Sequence, residues 1–386
     1  MKRVLIVGML DSVHLARWLK QFSSSDVQIT LFPSRRYKKL HPDIEFLLKS
    51  GEVRLFKKLF IRGLRLEGYL DFLSFEIPNV TLRLKRRAQS LQKCLDEFQP
   101  DIVHLIELQH AGYLYLETQV EEKNFDLIVT NYGSDISYFQ NYHDDKDKIS
   151  KVLSLADYYS AECRRDYKLA TKFGFTGIQL PLIPNAGGFA LSDIENSILE
   201  LDKRNLIFVK GYGGKFGLGH LALDAISRVL DKFSAIEAVV VSLTNDLEKN
   251  ARALETKFGP RITIHRMKDG LSHNEILAIL KKSIIYLGAS KSDGISTTFL
   301  EALVAGAIPV QTNTSCASEW LEKGFIAKIV SPSEEAIFSS VCEILERKIE
   351  YTAISKANMA LAKTYLDDKE IASIAKTFYQ IDNLLC

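Results

Sequence analysis

The stretch Ile284-Ile285-Tyr286-Leu287-Gly288-Ala289-Ser290-Lys291-Ser292-Asp293-Gly294-Ile295-Ser296-Thr297-Thr298-Phe299-Leu300-Glu301-Ala302-Leu303 decides how the chain is read. An apolar run of strand length opens into a polar, glycine-containing turn. Helical spacing begins near Ser296 and ends before Gly306. A helix N-terminus leaves backbone N–H groups without intrahelical acceptors, and beside small hydroxyl residues such groups suit a phosphate. Asp293 falls in the turn and Glu301 well inside the helix, so both carboxylates are expected at the carboxyl end of the strand. Carboxylates only accept hydrogen bonds, which suits the hydroxyls of a sugar. The plainer alternative is a helix cap at Asp293 and a surface acid at Glu301.

The same strand-then-helix pattern runs outward in both directions. Short apolar, β-branched runs recur at Val4–Val7, Val27–Phe32, Asp101–Ile106, Leu127–Thr130, Leu206–Lys210, Ala238–Leu243, Ile262–His265 and Ile308–Gln311. Helical periodicity separates them at Val13–Phe22, Val80–Phe98, Leu218–Phe233, Asn274–Lys281 and Glu334–Leu345. Alternating strands and helices predict an α/β protein built from parallel βαβ units. At 386 residues the chain exceeds what one hydrophobic core supports. The turn-rich Pro181–Gly188 and the fresh strand at Leu206 predict a boundary within 189–204. The expected organisation is residues 1–195, residues 196–368, and a last helix in 369–386 that returns to the first domain.

With these residues in view, the 284–303 stretch and Gly306-Ala307-Ile308-Pro309-Val310 after it resemble the E-x7-E region of glycosyltransferase family 4. The resemblance implies a GT-B fold, two Rossmann-like domains facing each other across a cleft. It also implies transfer of a sugar from a nucleoside diphosphate, with retention of anomeric configuration. Asp293 stands at the first acidic position, which in the family contacts the donor sugar, although Asp is one methylene shorter than the usual Glu. Glu301 stands at the second, which contacts the ribose. Gly294, Ile295, Ser296 and Thr297 form the phosphate-facing helix start. A second element, Val209-Lys210-Gly211-Tyr212-Gly213-Gly214-Lys215, resembles the family's diphosphate loop. It assigns Lys210, Gly211 and Lys215 to the donor, Lys210 also neutralising the leaving group.

In the amino-terminal half, Asp101-Ile102-Val103-His104 resembles the family's D-[IV]-V-H strand. The loop after it puts forward His110 and Glu107 as catalytic-site residues, while His104 reads as a core histidine. Thr130-Asn131-Tyr132-Gly133-Ser134-Asp135 resembles the G-S-D turn. With Asp11, His14 and Arg17 of the first loop and helix, Asp135 is assigned to the acceptor side. Arg165 reads as one half of a structural ion pair in preference to a phosphate ligand, and Ser315 as an aid to nucleotide binding.

Two motifs compete with this reading. Gly217-Leu218-Gly219-His220-Leu221-Ala222 fits the dinucleotide fingerprint G-x-G-x-x-A, but its first glycine lies beyond the strand's own turn. Asp145-Lys146-Asp147 matches a D-x-D metal motif inside a hydrophilic run, which reads as a solvated loop. No metal and no cofactor are expected.

Composition is that of a globular protein, 46% hydrophobic and 25% charged. No run approaches the roughly 18 apolar residues of a membrane span. Met1–Gly8 reads as a buried strand rather than a leader. Five scattered cysteines without C-x-x-C spacing suggest neither a disulfide framework nor a zinc site, which fits a reducing cytoplasm. The net charge of +2 conceals an asymmetry: residues 1–93 carry 19 Lys/Arg against 8 Asp/Glu. The basic residues cluster at 35–39, 54–65 and 83–87, and Phe56, Leu59, Phe60, Ile61 and Leu64 lie between the charges of the second cluster, so the expectation includes peripheral contact with an anionic membrane. Solvated helix faces are the alternative, and nucleic acid is not expected.

The resulting expectation is a cytoplasmic transferase, a UDP-sugar favoured over a GDP-sugar as donor. Its acceptor would be a saccharide or lipid-linked saccharide, in bacterial cell-surface polysaccharide synthesis. A sugar-nucleotide epimerase of the same fold and an NAD(P)-dependent oxidoreductase are the rival readings.

Overall fold

The computed structural model describes residues 1–22, 27–56, 60–61, 64–65, 80–118, 120, 123–195 and 198–380. These form two compact units, Met1–Gly187 together with Ala372–Cys386, and Gly188–Ile371.

In the first unit the strands are β1 (Arg3–Gly8), β2 (Gln28–Pro33), β3 (Val53–Leu55), β6 (Ile102–Ile106), β7 (Asp126–Thr130), β8 (Tyr158–Ser160) and β9 (Ile178–Gln179). A separate antiparallel pair, β4 (Phe60–Ile61) and β5 (Leu64–Arg65), lies between β3 and β6 in the chain. The sheet order among the described residues is β3-β2-β1-β6-β7-β8-β9, parallel throughout. Val4 to Val7 are all fully buried. Continuous burial along a strand, rather than alternation, is what a sheet covered on both faces requires.

Residues 372–380 belong to this unit. Tyr379 Oη accepts a hydrogen bond from Trp18 Nε1 at 3.0 Å and lies 2.8 Å from His104 Nδ1. His104 Nε2 meets Thr130 Oγ1 at 2.7 Å. Burial pushes the His104 pKa down to about 3, so this histidine is a neutral, fully bonded core residue.

The second unit holds β10 (Leu206–Lys210), β11 (Glu237–Leu243), β12 (Ile262–Arg266), β13 (Ser283–Gly288), β14 (Ile308–Thr312) and β15 (Lys328–Val330). Their order is β12-β11-β10-β13-β14-β15, again parallel. Numbered within the unit this is 3-2-1-4-5-6, the doubly wound order. Its ligand position lies outside the carboxyl ends of strands 1 and 4.

The unit begins at Gly188 because Phe189 N donates to Leu366 O at 2.8 Å and Asp368 N donates back to Phe189 O at 3.1 Å. A Cβ at Gly188 would sit 2.6 Å from Asp367 O, so only glycine allows this approach. Arg204, almost wholly buried, donates to Leu199 O, Ser283 O and Ala305 O, tying the entry segment to β13 and to the end of the helix Thr297–Val304.

One expected loop is a helix. Asp145 and Asp147 lie within the helix His143–Leu155, which buries Ile149, Val152 and Leu153. Apolar residues at this spacing give the hydrophilic run an inner face, and Asp144 and Asp145 in its first turn suit the helix dipole. Tyr113 Oη donates to Asp145 Oδ1 at 2.9 Å.

Candidate functional site

At the carboxyl ends of β10 and β13 the second unit gathers four of the residues singled out in the sequence. Lys210 ends β10, and its Nζ donates to Ser296 Oγ at 3.1 Å. Ser296 is the N-cap residue of the helix Thr297–Val304 and adopts extended backbone geometry. Its hydroxyl makes no cap bond; it lies 3.2 Å from Tyr286 Oη, which also reaches Gln311 Oε1 at 3.4 Å. A polar line thus crosses β10, β13 and β14 beneath the start of the helix. No acidic residue occupies the first turn of that helix. Its N-terminus is therefore left positive, beside a lysine, at the switch point of a doubly wound sheet.

Burial on its own would lower the Lys210 pKa. Tyr286, Asp293, Tyr212 and Glu301 face it and outweigh that cost, so the ammonium titrates above an ordinary lysine and stays charged. Asp293 is half-buried in the turn, and Gly294 and Ile295 after it are buried. Glu301 is 3% exposed, and its Oε1 lies 3.0 Å from His273 Nε2.

The turn itself is locked from two sides. Ser290 N donates to Thr312 Oγ1 at 3.0 Å, Thr314 Oγ1 donates to Ser290 O at 2.5 Å, and Cys316 N donates to Gly294 O at 2.9 Å. From the other side, Lys291 N donates to Phe216 O at 2.7 Å, Leu218 N donates to Ala289 O at 3.0 Å, and Gly217 bridges Ser290. Ser315, proposed as a nucleotide contact, is buried and accepts from Ala317 N at 3.4 Å.

This pairing explains the glycine-rich segment. Gly211 is packed so tightly that a Cβ would lie 2.7 Å from Val240 Cγ1, and one at Gly217 would lie 1.9 Å from Tyr212 O. Gly213 N and Gly214 N donate to Thr244 Oγ1 and Asp246 Oδ2 at 3.0 and 2.8 Å. The following helix starts only at Gly219. Gly217 and Gly219 therefore sit at the end of a long loop, not in the tight strand-to-helix turn that a dinucleotide fingerprint needs. Lys215 is exposed on that loop, its Nζ 5.5 Å from the centre of the Phe216 ring.

In the first unit, Glu107 directly follows β6 with φ 74° and ψ 151°, a region that residues other than glycine rarely enter. Its carboxylate turns back on its own loop. Oε1 accepts from His110 N at 2.6 Å and Ala111 N at 3.0 Å, and Oε2 accepts from Gln109 N at 3.2 Å. His110 Nδ1 lies 3.1 Å from Oε1, and its side chain is 45% exposed. Asp135 is buried and accepts from Leu108 N at 3.2 Å and Tyr132 N at 2.8 Å. Burial, then the nearby Glu107 and Asp166 charges, push its pKa up to about 8. Glu107 and Asp135 thus hold the loop that presents His110.

Asp11 takes Arg35 Nη2 at 3.1 Å on each oxygen. His14 packs on Tyr132 with ring centres 5.0 Å apart, and Arg17 lies in the last turn of the helix Val13–Lys20. Arg165 Nε donates to Asp166 Oδ1 at 2.8 Å, the expected ion pair. Of the basic clusters, Lys57, Lys58 and Arg62 lie outside the described residues.

His273 and Tyr286 carry no motif and were not singled out. Tyr286 sits in an apolar strand and reads as core. His273 opens a helix 28 positions before Glu301, and the packing of that helix beside Thr297–Val304 places the two side by side.

Two parallel α/β units of this construction have the GT-B fold. Residues 3–163 match the family model described as Glycosyl transferase 4-like. Three solved structures show the likeness over nearly the whole chain. Sucrose-phosphate synthase from Thermosynechococcus elongatus superposes with a TM-score of 0.72 at 11% identity, covering 100% of both chains. Anabaena HepE in complex with UDP and glucose gives 0.67 at 13% identity, covering 100% of this chain and 99% of that one. The α,α-trehalose 6-phosphate synthase of Burkholderia multivorans gives 0.69 at 12% identity, covering 99% and 98%. No curated protein matches the sequence.

Proposed function

We propose that this chain is a retaining glycosyltransferase that takes its sugar from a nucleoside diphosphate, UDP in preference to GDP. The observation that carries the reading is the meeting of the charged Lys210 with Ser296 at the N-terminus of the helix Thr297–Val304, beside Asp293 and Glu301. The HepE structure, which holds UDP and glucose, supports the same class of ligand.

In this reading Lys210, Gly211, Gly294, Ile295, Ser296 and Thr297 hold the diphosphate, with Lys215 reaching it from the loop. Asp293 holds the sugar and Glu301 the ribose. The bond from the anomeric carbon to the diphosphate oxygen breaks as the acceptor oxygen bonds to the same face. The acceptor's proton passes to the departing diphosphate, whose growing charge Lys210 and the helix N-terminus stabilise. No metal is assigned, because that lysine and the helix N-terminus do the cation's work. In the first unit His110 is assigned to the sugar, and Asp11, His14 and Arg17 to the acceptor.

The proposed acceptor is a saccharide or lipid-linked saccharide of the bacterial surface. The net charge of +11 over residues 1–93 supports peripheral contact with an anionic cytoplasmic membrane. No helix among the described residues is long and apolar enough to cross a membrane. Thermal-shift titration with UDP- and GDP-sugars tests the donor, and a UDP-sugar is expected to raise the melting temperature most. If neither nucleotide series raises it, the reading fails.

A further inference from the structure

We infer that His273 is the positioning residue for the ribose-binding carboxylate, so that the enzyme's preference for an intact ribose depends on it. The inference rests on the reading of Glu301 as the ribose ligand. Glu301 is 3% exposed, and a carboxylate so buried needs hydrogen-bond donors. His273 Nε2 stands 3.0 Å from Glu301 Oε1. Because the carboxylate only accepts, Nε2 carries the proton and donates it. This bond orients the carboxyl group and thereby the directions in which its oxygens meet a diol.

The histidine is itself held from both ends. Its ring stacks on Phe189, with centres 6.4 Å apart and planes 30° apart, and Phe189 is 3% exposed. Its backbone opens the helix His273–Leu280 directly after a capping box. There Ser272 Oγ accepts from Glu275 N at 3.3 Å and Glu275 Oε2 accepts from Ser272 N at 2.8 Å. Here the chain brings a rigidly mounted N–H from a separate helix to the buried carboxylate. At 40% exposure the ring also lies within reach of solvent and ligand.

The test compares UDP with 2′,3′-dideoxy-UDP by calorimetry on the full chain and on His273→Ala, His273→Gln and Glu301→Gln. The expected result for His273→Ala is UDP affinity lower by about tenfold, with affinity for the dideoxy nucleotide unchanged. His273→Gln keeps an N–H donor and should restore most of the UDP affinity. Equal weakening of both nucleotides, or no weakening, would overturn the positioning role. Glu301→Gln separates the two levels. If it too discriminates like the wild type, or if the wild type binds no UDP, the ribose assignment itself falls; if Glu301→Gln loses discrimination while His273→Ala keeps it, only the role of His273 falls.

Discussion

Lys210 Nζ lies 3.1 Å from Ser296 Oγ, joining the end of the unit's first strand to the cap of a helix 86 residues further on. The contact aims the ammonium at the helix N-terminus, and against the cost of burial Tyr286, Asp293, Tyr212 and Glu301 keep it charged. The ammonium and the helix N-terminus, two positive sources, therefore lie side by side.

Lys210→Ala is expected to lower nucleotide-sugar turnover by at least roughly tenfold, since removal of one donor to a developing oxyanion costs roughly 100-fold to 1,000-fold. Initial rates of nucleotide release measure this, and an unchanged melting temperature shows that the fold survives. A normal rate would remove Lys210 from the site.

Glu107 accounts for a backbone that glycine would adopt more easily. At φ 74° it is strained, and the strain is offset by a carboxylate that takes three backbone N–H groups. Glu107→Ala strands those donors in a partly buried loop. The expected loss of stability is about 1–3 kcal/mol, read from urea unfolding. Stability equal to the wild type would show that the loop holds without the carboxylate.

Asp135 gives stability an unusual pH dependence. Its pKa is raised by burial and by Glu107 and Asp166, from 3.8 to about 8 in the folded chain. A raised pKa stabilises the protonated, folded form; that contribution is complete below 3.8 and is lost as pH rises through 8. Asp135→Asn stays neutral throughout. The melting temperature of the wild type should therefore fall relative to Asp135→Asn between pH 6 and pH 9, by roughly 2–4 °C for each kcal/mol involved. Parallel curves would show that the carboxyl group is already ionised at pH 6.

Much of the architecture was legible because parallel strands covered on both faces read as short apolar runs, as at Val4–Val7 and Leu206–Lys210. The donor segment was legible too, since a strand, a glycine turn and a helix start follow one another in the chain. Contacts set by sheet order were not. Tyr286 reads as core until Ser296 folds back over it, and His273 meets Glu301 because the helix His273–Leu280 packs beside the helix Thr297–Val304. Asp145 misled for a local reason. A charged surface conceals the inner face formed by Ile149, Val152 and Leu153, so a helix read as a loop.

Tyr286 offers the sharpest test of the polar line under the helix. Its hydroxyl lies 3.2 Å from Ser296 Oγ and 3.4 Å from Gln311 Oε1, and the residue is wholly buried. Tyr286→Phe keeps the ring and its packing while removing the group that steadies Ser296. The expected effect is a kcat lowered by roughly threefold to tenfold, smaller than that of Lys210→Ala, with KM for the donor nearly unchanged. Ser296→Ala should act through the same contact. The double variant should then lose less than the sum of the two single losses, by roughly 0.5 kcal/mol or more. Strict additivity in that cycle would mean that Tyr286 supports the strand and not the hydroxyl that Lys210 binds.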